Sequence, residues 1–156
     1  MAKKILIAMD DSENAQRAVA LVARLFSPDQ EVTLFSVLAD TATLCDMNSP
    51  ALTPYFKSGQ QSFCALEDEK KKLVVDAMDH ARTLLIEAGF DSTHIHLKRQ
   101  TKKRGIARDI VAEAGEGYEM VVLGRRGVSA IKEFLMGSIS QKVMHLLKEG
   151  SVLIVN

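Results

Sequence analysis

Short apolar runs alternating with segments of helical period constrain this chain more than any other feature. Lys3-Lys4-Ile5-Leu6-Ile7-Ala8-Met9 is apolar without alternation and closes on Asp10-Asp11. That is the pattern of a strand buried on both faces, which belongs to a parallel sheet. Ser12 is placed to cap a helix in which Ala15, Ala18, Val19, Val22, Ala23 and Phe26 recur at helical spacing until Pro28 stops it. Val32 to Leu38 reads as a second β-rich run. After it, Ala39 to Gln60, with Pro50, Pro54 and Gly59, reads as one long irregular connection. Helical periodicity returns with Leu73, Val74, Ala77, Met78, Ala81, Leu84, Leu85 and Ala88, and Gly89 stands at the C′ position.

His94 to Gln100 alternates Ile95 and Leu97 with polar residues, as a one-sided edge strand does. Gly105 opens a helix carrying Ile106, Ile110, Val111 and Ala114, and Gly115 and Gly117 end it. Met120 to Leu123 is a fourth, fully apolar strand running into Gly124. Ser138 then caps a helix with Ile139, Val143, Leu146 and Leu147 inward, ended by Gly150, and Ser151 to Val155 forms a fifth strand. The order βαβαβαβαβ requires parallel strands joined by right-handed crossovers, with helices on both faces. The expectation is an α/β fold: one doubly wound, five-stranded parallel sheet of order 3-2-1-4-5. At 156 residues, a single domain covering 1–156 is expected.

Charge removes some partners. Twenty Lys plus Arg balance 20 Asp plus Glu, so no global field draws the chain to nucleic acid or anionic lipid. No run approaches the ~20 apolar residues a spanning helix needs, and the apolar stretch after Lys4 is too short for a secretory signal. A cytoplasmic location without nucleic-acid or membrane partners is the resulting expectation. Cys45 and Cys64 show no metal-binding spacing; two free thiols is the simpler reading and a disulfide the alternative. His94 and His96 share a face by period two but have no third ligand at suitable spacing, so no metal site is expected. Lys70-Lys71-Lys72 after Glu67, Asp68 and Glu69 reads as a solvated helix face. Lys102-Lys103-Arg104 falls two strands from the central crevice, where it steers an anion at range rather than touching it.

In an open parallel sheet, ligands bind beyond the carboxyl ends of the strands where crossovers diverge. With the first strand central, that crevice is faced by Asp10-Asp11-Ser12 and by the loop from Gly124 to Ser140. Glycines after a buried strand allow a sharp turn and close backbone approach to a ligand. Gly137-Ser138 opens a helix, whose free amides suit phosphate. No Gly precedes a Lys, and no G-x-G-x-x-G follows the first strand, so the familiar hydrolase and dinucleotide motifs are absent.

Gly124-x2-Gly127-x9-Gly137-Ser138, with Asp10 closing the first strand and Ser12 two residues on, resembles the universal stress protein family across essentially the whole chain. The resemblance implies an adenine nucleotide alpha hydrolase-like fold binding ATP, or AMP or ADP, with Mg2+ as companion ion. By position it assigns Asp10 to the ribose or adenine and Met9 and Val37 to the base pocket. Leu123, Gly124 and Gly127 then run beneath ribose and phosphates, and Gly137, Ser138, Ile139 and Ser140 bind phosphate. Arg125 and Arg126 are expected, from charge and adjacency, to neutralise phosphate.

No catalytic residue is assigned, since no general base is fixed in the glycine loop. The expected role is a stress-response regulator whose nucleotide occupancy alters conformation or partner choice. A slow ATP hydrolase or self-phosphorylating enzyme on the same site, and a dimeric interaction module without nucleotide, are the alternatives. A phospho-acceptor receiver domain lacks support, because no Lys ends the fifth strand and no Asp ends the third. The apolar strand Val152-Leu153-Ile154-Val155 falls at a sheet edge, where pairing with a second copy protects it. The resemblance likewise implies a homodimer through this strand.

Overall fold

The computed structural model describes residues 2–48, 51, 53–125 and 138–156. Its strands are β1 (Lys4–Ala8), β2 (Glu31–Leu38), β3 (Ile95–Thr101), β4 (Met120–Gly124) and β5 (Ser151–Val155). They form one sheet, all parallel as the alternation of elements requires, in the expected order β3-β2-β1-β4-β5. The helices are α1 (Glu13–Leu25), α2 (Ala42–Cys45), α3 (Pro54–Glu87), α4 (Ile106–Ala114) and α5 (Ser138–Leu146).

Period two on the central strands divides the core in two. Ile5 and Ile7 face α1 and α3, meeting Val19, Val22, Met78 and Leu85. Leu6 faces the opposite side, packing with Phe35, Ile110, Val121 and Val143 against α4 and α5. Each fully buried aliphatic contributes roughly 1.5–3 kcal/mol by leaving water, so both faces hold the ends of β1 and β4 in fixed register. α1 starts where the sequence places it: Ser12 Oγ accepts the Ala15 amide at 3.2 Å.

Three details differ from expectation. The third strand begins at Ile95, with His94 in a preceding 3-10 turn, so His94 and His96 do not share a strand face. The connection after β2 is shorter than Ala39 to Gln60, because α3 already starts at Pro54. There Thr53 Oγ1 accepts the Phe56 amide at 3.2 Å and Pro54 occupies the first turn. Its buried residues, Val74, Met78, Ala81 and Leu85, all lie in its C-terminal part; the earlier turns run past the sheet, leaving no apolar period to read. Finally, Cys45 and Cys64 form a disulfide, with Cα atoms 5.9 Å apart, which corrects the reading of free thiols. The pair arises because α2 packs back on α3, two helices the irregular composition conceals.

Candidate functional site

Beyond the carboxyl ends of β1, β2 and β4 the chain leaves a cavity of about 480 Å³, within the range of small-molecule sites. Its walls come from separate elements. Met9, Asp10, Asp11 and Ser12 follow β1, Val37 ends β2, Leu123 and Gly124 end β4, and Ile139 and Ser140 open α5. Met9 is buried and its amide donates to the Phe35 carbonyl at 2.7 Å, extending the β1–β2 ladder to the cavity rim. Asp10 is exposed there, and its Oδ1 accepts the Ser12 amide at 2.9 Å. This Asx turn sets the carboxylate at the mouth and positions the cap of α1.

Gly124 has a structural reason to lack a side chain. A Cβ on it would stand 2.7 Å from the Asn14 carbonyl carbon and oxygen and 3.0 Å from the Ala15 nitrogen. The first turn of α1 therefore packs directly on the end of β4. Buried Asn14 locks this contact, donating from Nδ2 to the Arg125 carbonyl while its Oδ1 accepts Arg17 Nη1 at 2.8 Å. The sequence reads Gly124 as allowing approach of a ligand; the structure shows it also allowing approach of a helix while it borders the cavity.

Of the eleven residues assigned from sequence, seven line this cavity: Met9, Asp10, Val37, Leu123, Gly124, Ile139 and Ser140. Ser138 does not line it. Arg126, Gly127 and Gly137 lie outside the described residues. Arg125 points elsewhere, its Nη1 donating to Asn156 Oδ1 at 3.3 Å beyond β5.

Several lining residues escaped the sequence reading, among them Lys70, Val74, Ile106 and Ile110. Lys70 pairs with Glu67 at 3.8 Å as a solvated face should, yet it also borders the cavity. Buried Val74 stands one turn after it on the same helix face, the signal that places Lys70 there. Ile106 and Ile110 of α4 complete the wall. Their chain neighbours Lys102 and Arg104 line an adjoining groove rather than lying remote from the crevice.

The arrangement is amphipathic. Apolar walls from Met9, Val37, Val74 and Ile110 suit a flat heterocycle, while Asp10 and the hydroxyl residues Ser12 and Ser140 supply polar contacts at one side.

Comparison with known proteins gives consistent relatives. The model of the Universal stress protein family matches residues 1–156. Universal stress protein YxiE of Bacillus subtilis is 26% identical over 148 residues, covering 94% of each chain. A universal stress protein of Mycolicibacterium smegmatis is 25% identical over 153 residues, and there the match spans only 47% of the relative's length. Among solved structures, the hypothetical protein MJ0577 superposes with a TM-score of 0.67 at 26% identity, covering 99% of this chain and 96% of that one. Universal stress proteins solved with cAMP, with dAMP and, from Arabidopsis thaliana, with AMP share the fold at TM-scores of 0.63, 0.58 and 0.60 and identities of 18%, 14% and 14%.

Proposed function

The chain belongs to the universal stress protein family, and from that premise we propose that the cavity at the ends of β1 and β4 is an adenine-nucleotide site. The observation that carries this reading is the convergence of Asp10, Val37, Leu123, Gly124, Ile139 and Ser140, drawn from four elements, on one cavity. Relatives of the same fold solved with cAMP, dAMP and AMP support an adenine ligand. In this reading the base lies against Met9 and Val37, Asp10 takes the ribose or base, and the phosphates approach α5. Gly127, Gly137 and Ser138 are assigned to the phosphates by the motif, with Arg126 as countercharge.

ATP, ADP and AMP are the candidate ligands. Among the described residues no three His, Cys, Asp or Glu side chains gather to hold a metal. Mg2+ would therefore enter on a triphosphate, with phosphate oxygens and water as its ligands. Nucleotide occupancy is proposed to change conformation or partner choice in a cytoplasmic stress response. The active species is a homodimer paired through Val152 to Val155 at the open edge of β5.

Thermal unfolding with each nucleotide, with and without magnesium, tests the site. Ligand at about 100 times Kd stabilises by ~2.7 kcal/mol, whereas an unchanged midpoint at millimolar nucleotide refutes the reading. Asp10→Ala should weaken binding about tenfold and, by removing the exposed Asx-turn hydrogen bond to the Ser12 amide, cost only about 0.5–1.5 kcal/mol of stability. Light scattering at micromolar protein checks the dimer; a monomeric mass refutes it.

A further inference from the structure

Charge in a chain with no net charge is informative where it fails to pair. Between the loop entering α4 and the outer face of α5 runs a groove of about 680 Å³. Lys102, Arg104 and Arg108 line one side of it and Lys142 and His145 the other, and among the described residues no Asp or Glu lies in its wall. Ile139, Lys142 and His145 recur every three residues and so share one helix face. Lys3, Arg17, Lys70 and Lys98 each have a carboxylate partner. Among the described residues, Lys102, Arg104, Arg108 and Lys142 have none.

The loop that carries two of these cations is built. Buried Asp109 accepts the backbone amides of Lys103 at 2.8 Å and Arg104 at 3.1 Å, fixing the turn from which Lys102 and Arg104 project. Those amides are thereby consumed, so the groove's attraction for anions resides in its side chains. Four like charges around one concavity repel each other until an anion fills it. A compact monoanion would neutralise one of them; an extended, multiply charged chain neutralises all four.

The groove is also continuous with the cavity described above. Ile106 and Ile139 belong to both walls and form an apolar sill between them. Among the described residues the cavity carries Asp10 and Asp11, with Lys70 paired to Glu67, while the charged residues of the groove are all basic, so negative charge is directed across the sill and away from the β1 turn.

The geometry points to a polyphosphate groove in which Lys102, Arg104, Arg108 and Lys142 hold a chain of linked phosphates. The chain arrives either as the tail of a nucleotide seated in the cavity or as a free inorganic polyphosphate. The first source rests on the adenine-nucleotide reading; the second does not.

Calorimetry with inorganic tripolyphosphate at about 0.15 M salt tests it, on the wild type and on the double variant Arg108→Gln, Lys142→Gln. Both side chains are exposed, so the variant keeps the fold. The wild type should bind, and the variant should bind about tenfold more weakly or worse, while AMP affinity stays within about twofold in both. No tripolyphosphate binding, or equal binding by both proteins, overturns the proposal even if AMP binds. Equal preference for an acidic glutamate peptide of matched charge also overturns it, since the groove would then read charge rather than phosphate. If AMP fails to bind but tripolyphosphate binding depends on the two cations, the nucleotide reading falls and the groove stands. The affinity ratio of adenosine 5′-tetraphosphate to AMP identifies the source: a ratio that collapses in the variant supports a nucleotide tail. An unchanged ratio beside weakened tripolyphosphate binding supports the free chain.

Discussion

The ends of β1 and β4 and the outward half of α3 are both helix-lined surfaces, yet they are held by different physics. At β1 and β4 the central residues are buried: Leu6, Ile7, Val122 and Leu123 are at most 3% exposed. Along the first half of α3, Tyr55 is 91% exposed and Leu66 62%, with Phe56 and Phe63 also open to water. That segment is tied down by particular links: the Cys45–Cys64 bridge, Gln60 Nε2 donating to the carbonyls of Leu44 and Met47, and Lys71 Nζ donating to Thr41 Oγ1 at 3.1 Å. A cavity built on the first region inherits the rigidity of the sheet, whereas Lys70 reaches it from the second and inherits the mobility of a lightly anchored helix.

Paired truncations probe this contrast most strongly. Leu34→Ala, in the fully buried core of β2, should cost about 2–5 kcal/mol in urea unfolding. Leu66→Ala on α3 should stay within roughly 0.5 kcal/mol of wild type. Comparable losses would mean that the outer turns of α3 are covered in solution.

Next in size is the contact between α1 and β4. Gly124→Ala drives a Cβ to 2.7 Å from the Asn14 backbone, which has no flexible end to yield, so about 1–3 kcal/mol should be lost. Asn14→Ala leaves the Arg125 carbonyl without its partner and should cost ~1–3 kcal/mol. Each measurement is a denaturant midpoint. If α1 carries the cavity wall, both variants should also weaken AMP binding, and preserved affinity would separate the cavity from the contact.

Cutting the bridge should act locally. Cys45→Ser frees α2 from α3 without touching the sheet, so hydrogen exchange over residues 42–48 should speed up about tenfold or more. Amides of β1 and β4 should keep their protection. Loss of protection in the sheet would make the outer half of α3 part of one cooperative unit with the core.

These contrasts explain what could be read from the chain in advance. Strands β1 and β4 follow from short apolar runs buried on both faces and β2 and β5 from β-rich apolar composition, while the sheet order follows from the common order of doubly wound sheets. The start of α3 was marked only by Thr53-Pro54, a capping pair submerged among Pro and Gly residues, and its exposed turns have no apolar stripe to extend the period. The disulfide depends on how α2 folds back, which spacing does not encode. Likewise, Gly124 was visible as a glycine, but its partner in space, the Asn14 backbone, is a tertiary fact. Lys70 was hidden because charge runs usually mark solvent, and only its register with Val74 places it at the cavity.

The smallest effect concerns the base of the sheet, far from the cavity, where β3 meets α4. Lys98 Nζ stands 2.7 Å from Glu113 Oε2, and the Tyr118 hydroxyl lies 3.0 Å from Glu113 Oε1 and 3.1 Å from Thr33 Oγ1. The Glu113 hydrogen bond holds the Lys98 ammonium above its usual pKa of 10.5, and burial pushes the Tyr118 phenol above 10.0. Both groups therefore bind their protons more tightly folded than unfolded. Their stabilisation is complete below about pH 10 and disappears as pH rises through the folded-state values. The Lys98 side chain is 50% exposed, so solvent screening limits its part to about 1 kcal/mol or less. Urea unfolding at pH 8 and near pH 11 should show a steeper alkaline loss for wild type than for Glu113→Gln, the remaining Lys and Tyr residues cancelling in the difference. Parallel losses would show that this cluster, unlike the buried ends of β1 and β4, is as weakly coupled to the fold as the outer turns of α3.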